Sequence, residues 1–142
     1  MSTLSAALSA SASALNAERT RIEVAVSNMA NAESTRGPDG KPYRRRDVVL
    51  AAQPENSFDA AMNKTGAVGV RVAGVVEDQS EFKRRYDPSH PDADEGGFVA
   101  MPNVDAPEEM VDMLSAARAY QANLTAIGLI RDMVQKALEL AR

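Results

Sequence analysis

The sequence predicts a mainly α-helical protein with a β-rich insertion, in which a long helix at each end flanks a small β domain. Three observations carry that reading. Bulky apolar residues recur at helical spacing near the N-terminus with no glycine or proline among them. The last quarter holds a regular apolar seam in steps of three and four. Between the two lie strand-like alternation and turn-rich stretches. The corresponding segments are residues 1–36 for an N-terminal helix and turn, 37–106 for the β-rich middle, and 107–142 for a C-terminal helix.

At the N-terminal end the bulky apolar residues are Leu4, Leu8, Leu15, Ile22, Val26 and Met29, and four of them (8, 15, 22 and 29) are seven apart. That spacing draws one narrow stripe along a helix. Alanine-rich filling and the absence of glycine before Gly37 predict a helix of about 28 residues, roughly 42 Å long, ending near Asn31. Glu33 to Pro42 is turn chemistry, with Gly-Pro and Asp-Gly pairs.

In the middle, Tyr43 to Ala52 contains the apolar run Val48, Val49 and Leu50, while Val68, Val70 and Val72 alternate with Gly69 and Arg71 as a strand does. A short strand is expected over Glu81 to Tyr86, a loop over Asp87 to Gly97, and a brief apolar segment at Phe98 to Met101; Gln53 to Lys64, around Phe58 and Met62, fits helix and strand equally.

Pro107 suits a first helical turn, and Glu108 and Glu109 are placed to interact with the helix dipole. From there Met110, Met113, Ala117, Tyr120, Leu124, Ile127, Arg131, Val134, Leu138 and Ala141 form a heptad seam interrupted only by Arg131. A second stripe of Leu114, Ile130, Met133, Ala137 and Leu140 widens the apolar surface of a helix of about 35 residues, roughly 50 Å long.

Six bulky side chains are too few to offset the entropy of ordering so long an N-terminal helix, so it needs neighbours on more than one side. The expected arrangement is an antiparallel pair of terminal helices completed, in a coiled-coil-like bundle, by pairs from other subunits. Before assembly, residues 1 to 30 and 108 to 142 are expected to be mobile around a protease-resistant middle. The candidate subunit-interface residues are Leu8, Leu15, Ile22, Val26 and Met29 on the first helix. On the second they are Met110, Met113, Tyr120, Leu124, Ile127, Arg131, Val134 and Leu138. Arg131 requires a partner or a path to water, and a polar group at one seam position typically specifies register. The alternative is an ordinary intramolecular hairpin.

Composition narrows the chemistry. Aromatic residues make up 4% and tryptophan is absent, so a large globular core is excluded; a net charge of -4 opposes a nucleic-acid-tracking surface. There is no cysteine, hence no thiolate ligand or thiol nucleophile. The N-terminal segment lacks the basic and apolar regions of a Sec signal, and no apolar run is long enough to span a bilayer.

His90, the sole histidine, lies among Asp87, Asp92, Asp94 and Glu95. As a calcium loop the spacing fails, because Gly96 occupies the fifth position and Asn103 stands where a bidentate Glu is needed. A loop whose carboxylates cap backbone N–H groups is the favoured reading, with no metal, cofactor or catalytic group. The runs Arg44 to Arg46 and Lys83 to Arg85, each beside a tyrosine, read as solvated strand ends or salt-bridged subunit contacts. Asparagine is a poor helix-interior residue unless its side chain finds partners. Asn31 is assigned to capping, while for Asn123 an interhelical hydrogen bond and solvent exposure both stay open.

The segment S-N-M-A-N-A-E-S-T-R (Ser27 to Arg36) resembles the N-terminal signature of the flagellar rod and axial protein family. Tyr86 to Asp105 and Glu108 to Asn123 are similar to its proximal-rod members. The residues carrying the resemblance include Asn28, Asn31, Tyr86, Asp87, Pro88, His90, Pro91, Asn103 and Asn123. The resemblance implies a non-enzymatic structural subunit of the bacterial flagellar basal-body rod, polymerising through its terminal helices into part of the drive shaft and the export-channel wall. Implied partners are its own copies, other rod proteins, the basal-body export-gate adaptor and the flagellar type III export apparatus, with no nucleic acid and no small-molecule substrate. The implied location is the periplasm-spanning rod, reached without a Sec signal. Two rivals are a coiled-coil adaptor or export chaperone, which would be a compact dimer, and a metal-dependent enzyme built on Asp87 to Glu95, which would bind metal.

Overall fold

The computed structural model describes residues 2–53 and 68–140. The ambiguous segment around Phe58 and Met62 therefore lies outside the described residues, apart from Gln53. In chain order the elements are α1 (Ser2–Ala30), β1 (Arg46–Gln53), β2 (Gly69–Glu77), β3 (Lys83–Tyr86), β4 (Phe98–Met101) and α2 (Ala106–Leu140). Two terminal helices thus flank a small β region made of two two-stranded sheets, β1 with β2 and β3 with β4. This is the helix-rich class with a central β insertion that the sequence predicts.

Local chemistry explains the boundaries. Helix α1 runs without glycine or proline and stops where Asn31 turns its side chain back, Nδ2 donating to Ser27 O at 2.8 Å, while Ser34 Oγ donates to Asn31 Oδ1 at 3.3 Å. The Ser27 carbonyl, which also accepts the Asn31 N–H at 3.2 Å, thus receives a second donor at the point where the helix ends. The Gly37 to Lys41 turn follows, with Gly40 N–H donating to Gly37 O at 3.0 Å and Gly40 at φ 71°, a conformation that favours glycine.

The strand expected from Glu81 starts two residues later, at Lys83, and pairs antiparallel with β4 in the register Lys83 to Met101 and Tyr86 to Phe98. On β4, Val99 and Met101 are buried while Phe98 and Ala100 are exposed, the period-two alternation that separates a core face from a solvent face. The hairpin closes through Asp87 N–H to Gly97 O at 2.9 Å. Gly97 sits at φ 77°, and a Cβ there would lie 3.0 Å from the Tyr86 ring and 3.2 Å from Pro88 Cβ, so a side chain is excluded twice over.

The chain divides into two compact units. Among the described residues, one comprises 2–20, 49–53, 68–74 and 115–140; the other comprises Arg21–Val48 and Val75–Leu114. Within the first, Ala17 and Ala116 are buried, and the start of β2 is tied to α1 by Val70 N–H donating to Ser13 Oγ at 3.0 Å. Within the second, the buried residues are Ala25, Asn28, Val99, Met101, Pro102, Asn103, Val104 and Glu109, a small core with an unusual share of polar members. Asn103 accepts a hydrogen bond from Arg45 N–H at 2.8 Å and donates to Ser80 Oγ at 2.8 Å and Asp78 O at 3.2 Å, joining three loop segments.

Asn103→Ala would strand the Arg45 N–H away from water and release the Asp78–Ser80 turn. We expect it to lower stability by about 1–3 kcal/mol in urea unfolding, with Asn103→Asp milder because the acceptor is retained.

Candidate functional site

Within the second unit, the end of α1 and the first turn of α2 meet on a cluster of polar side chains. Asn28, 1% exposed, uses its whole hydrogen-bonding capacity. Its Nδ2 donates to Arg46 O at 2.8 Å and to Glu109 Oε2 at 2.9 Å; its Oδ1 accepts from Arg46 N–H at 3.0 Å and from Tyr43 OH at 3.0 Å. Toward Arg46 the carboxamide behaves as a neighbouring strand would, taking the N–H and returning a donor to the C=O. Because an N–H only donates and a C=O only accepts, these contacts also dictate which way the amide faces.

Glu109, 2% exposed, accepts from Asn28 on one oxygen and from Arg45 Nε on the other. Arg45 extends to Asp112 at 3.4 Å and Asp47 at 3.7 Å, so one guanidinium faces three carboxylates. The hydrogen bond from Arg45 to Glu109, ahead of the opposing effect of burial, raises the Arg45 pKa above its ordinary value. The surrounding cleft is lined by Arg21, Val24, Ala25, Asn28, Arg46 and Asp112, among others.

Two sequence expectations gain detail here. Within the run Arg44 to Arg46, Arg46 is a solvated strand end, whereas Arg44 and Arg45 make contacts inside the chain. Arg44 stacks on the Phe82 ring at 4.4 Å and donates to Asp78 O at 2.9 Å, Arg45 pairs with Glu109, and Arg46 uses its backbone on Asn28 while its guanidinium lies 3.9 Å from Glu77. Glu109 does lie in the first turn of α2, as a dipole partner should, but it is buried as a hydrogen-bond acceptor whereas Glu108 is exposed. Sequence reasoning misses Tyr43, Arg45 and Glu109 as a site. The available signal is that Glu109 stands four residues before Met113 and seven before Ala116, on one helical face.

The segments that carry the family resemblance also meet. Thr35 Oγ1 donates to Asp92 Oδ2 at 2.9 Å and Arg36 pairs with Asp92 at 3.4 Å, joining the end of the first motif to the loop of the second. That loop is a chain of side-chain-capped turns. Asp87 accepts from Ser89 Oγ at 2.7 Å, His90 Nδ1 accepts from Asp92 N–H at 3.1 Å, and Asp94 accepts from Gly96 and Phe98 N–H at 2.9 and 2.8 Å. Pro88 and Pro91 are exposed between these turns. Tyr86 and Phe98 meet edge to face at 5.2 Å, with Tyr86 65% exposed. Hydrogen bonds from Ser89 hold the Asp87 carboxyl below its ordinary 3.8, and those from Ser80 do the same for Asp78. Folding lowers both pKa values, so this support is present above about pH 3.8 and lost as pH falls through the depressed values. Among the described residues no group of three potential ligands converges on a metal position.

The candidate interface residues divide by exposure. Leu8, Leu15, Ile22 and Met29 are half-buried and Val26 is exposed, in line with Ser5, Ser9, Ala12, Asn16, Arg19, Glu23 and Ala30 along the outer face of α1. On α2 the inward residues are Glu109, Met113, Ala116, Tyr120, Asn123 and Ile127. Met110, Leu124, Arg131, Val134 and Leu138 are exposed, and every residue from Arg131 to Leu140 is exposed. Asn123 Nδ2 bonds back to Ala119 O at 2.9 Å within its own helix.

Arg45→Met would leave the Glu109 carboxylate buried without its cation, and we expect a loss of about 3–5 kcal/mol in urea unfolding. The double variant Arg45→Met/Glu109→Leu should regain part of that loss, since removing both charges removes the desolvation penalty.

The chain matches proteins of one kind over nearly its whole length. A family profile described as "Flagellar basal body rod FlgEFG protein C-terminal" matches residues 95–140. The flagellar basal-body rod protein FlgC of Salmonella typhimurium is 45% identical over 130 residues, covering 92% of each chain. FlgC of Borreliella burgdorferi is 41% identical over 148 residues, 96% of this chain and 97% of the relative. FlgC of Bacillus subtilis is 42% identical over 145 residues, 95% and 96% of the two. The two quoted motifs, joined in space through Asp92, lie within these matches, and the chain belongs to the FlgC family of flagellar basal-body rod proteins.

Proposed function

We propose that this protein is a structural subunit of the bacterial flagellar basal-body rod whose terminal helices complete their apolar surfaces against neighbouring subunits. One observation carries the polymerisation step. The last ten described residues of α2 are all exposed, including Met133, Val134, Leu138 and Leu140, the last 89% exposed. A helix with so much apolar surface in water has an incomplete environment in the single chain. Copies of the chain and other rod components would supply it, in a coiled-coil-like bundle lining the export channel and forming part of the drive shaft. The candidate contacts are Leu8, Leu15, Ile22, Val26 and Met29 on α1, and Met110, Leu124, Ile127, Val134 and Leu138 on α2. The segments serving this role are the ends, 1–36 and 107–142, with 37–106 as the connecting body.

The same reading places the subunit in the periplasmic span of the rod, delivered by the flagellar type III apparatus and seated at its base on the export-gate adaptor. No catalytic step is assigned, and Asp87 to Glu95 serve as capped turns that shape a contact loop. The rival coiled-coil adaptor would bury both helices in a stable dimer at micromolar concentration; sedimentation of the purified chain separates the two, a monomer supporting the rod reading.

Arg131 is exposed on the α2 seam between Ile127 and Val134. A guanidinium at that place limits self-pairing of the free helix and selects a neighbour able to receive it. Arg131→Leu should therefore increase self-association of the purified subunit while lowering basal-body yield and motility, with Arg131→Lys milder; a monomeric variant in fully motile cells would remove Arg131 from the interface. His90→Ala should leave export and rod assembly nearly unchanged, because the ring serves a turn within its own loop, accepting from Asp92 N–H at 3.1 Å. Loss of assembly with a stable, exported subunit would contradict that assignment.

A further inference from the structure

The polar cluster at Asn28 and the exposed seam at residues 131–140 belong to different kinds of surface, although each lies on a terminal helix. At Asn28 every donor and acceptor is already paired inside the single chain. Asn28 makes four hydrogen bonds, and Glu109 has a donor on each oxygen. No buried side-chain polar atom among the described residues lacks a partner. A contact that awaited another subunit would leave such atoms open or exposed. Along the outer part of α2 the exposed surface instead carries the apolar side chains Met133, Val134, Leu138 and Leu140 among charged ones.

The unit boundaries fall between these two surfaces. Arg21 to Ala30 of α1 and Ala106 to Leu114 of α2 belong with the loops and hairpin of the second unit; the rest of both helices belongs to the first. Long-range side-chain hydrogen bonds concentrate accordingly. Asn28 to Glu109, Arg45 to Glu109, Asn103 to Arg45 and Thr35 to Asp92 all lie inside the second unit. In the first unit, one such bond is Val70 N–H to Ser13 Oγ.

We propose that Asn28, Arg45 and Glu109 act as a clasp that keeps the roots of the two terminal helices folded and in register in the free subunit. Only the helix portions beyond the clasp, residues 4–20 and 115–140, then gain their full order on polymerisation. This deepens the rod reading and rests on it for the second stage, but the first stage is a property of the isolated chain. It also moves the limits of the mobile ends. Chain entropy alone would extend them to residue 30 and from residue 108, whereas the clasp draws residues 21–30 and 106–114 into the ordered body. Asn28 and Glu109 are positioning residues here, since they set the register of the two helix roots and touch no neighbour themselves. A buried polar pair suits that task, because a slip of one residue would leave a carboxylate and a carboxamide buried without partners, whereas an apolar contact tolerates sliding.

Hydrogen exchange of the purified, monomeric full chain tests the proposal. Amides in 21–30 and 109–114 should exchange at least about tenfold more slowly than those in 4–20 and 115–140. Glu109→Gln cannot accept from both Arg45 and Asn28, so it should remove that difference while the β3–β4 amides stay protected; Glu108→Gln, one residue away and exposed, should leave it intact. Uniform protection along each wild-type helix overturns the clasp, as does loss of protection in Glu109→Gln that includes the β3–β4 hairpin, since the cluster would then be part of one global core. These results do not depend on rod assembly. Failure of Arg131→Leu to affect assembly would count against the rod contacts while leaving the clasp standing.

Discussion

A carboxylate removed from water must find donors for its lone pairs or become a heavy liability to the fold. Glu109 meets that condition through Arg45 and Asn28, and each of those residues brings its own requirement. Arg45 can reach Glu109 only if its backbone is held, which Asn103 and Asp78 do from either side. Asn28 can donate to Glu109 only with its carboxamide turned one way, and the N–H and C=O of Arg46 set that orientation. The turn after α1, the first strand and the start of α2 are therefore mutually dependent. Little apolar material is present to hold them otherwise. Val99, Met101 and Val104 form most of the aliphatic core of this unit, so hydrogen-bond geometry decides how its parts meet.

Such a design suits a subunit whose apolar surface has another use. Both terminal helices carry bulky apolar residues, and in the outer part of α2 these face solvent. Hydrophobic burial is non-directional and grows with area, which makes it a good driving force for packing many copies and a poor one for specifying a unique internal register. Directional polar contacts have the opposite character. Confining them to the body and leaving the apolar stripes open separates the tasks of shaping the subunit and joining it to others.

The loop from Asp87 to Gly97 extends the same logic to the surface. Each turn is stabilised by a side chain of the loop itself, and Asp92 anchors it to Thr35 and Arg36. The exposed ion pairs around it, such as Arg85 with Asp87 at 3.9 Å, add little in water, where screening and side-chain entropy offset the Coulomb attraction. What the loop contributes is a stiff shape carrying an exposed Tyr86–Phe98 pair in a chain with few aromatic residues.

The sequence by itself determined the class of fold, the two long helices, the Asn31 cap, the capped turns of the acidic loop and the family. Each depends on local chemistry or on periodicity, which is written into neighbouring residues. The strand at Phe98 to Met101 was visible only as a short apolar segment, because four residues are too few for a period to declare itself. The joining of Asn28 to Glu109, 81 residues apart, was decided by tertiary structure alone. In sequence Asn28 reads as a helix-end asparagine and Glu109 as a dipole partner, roles that each would satisfy in isolation. Heptad spacing likewise could not choose between Met110, Ala117 and Leu124 and their neighbours Glu109, Ala116 and Asn123 for the inward face of α2, because both sets follow the same repeat. The chain turned the second set inward, where the carboxylate of Glu109 meets the donors that only the folded body brings to it.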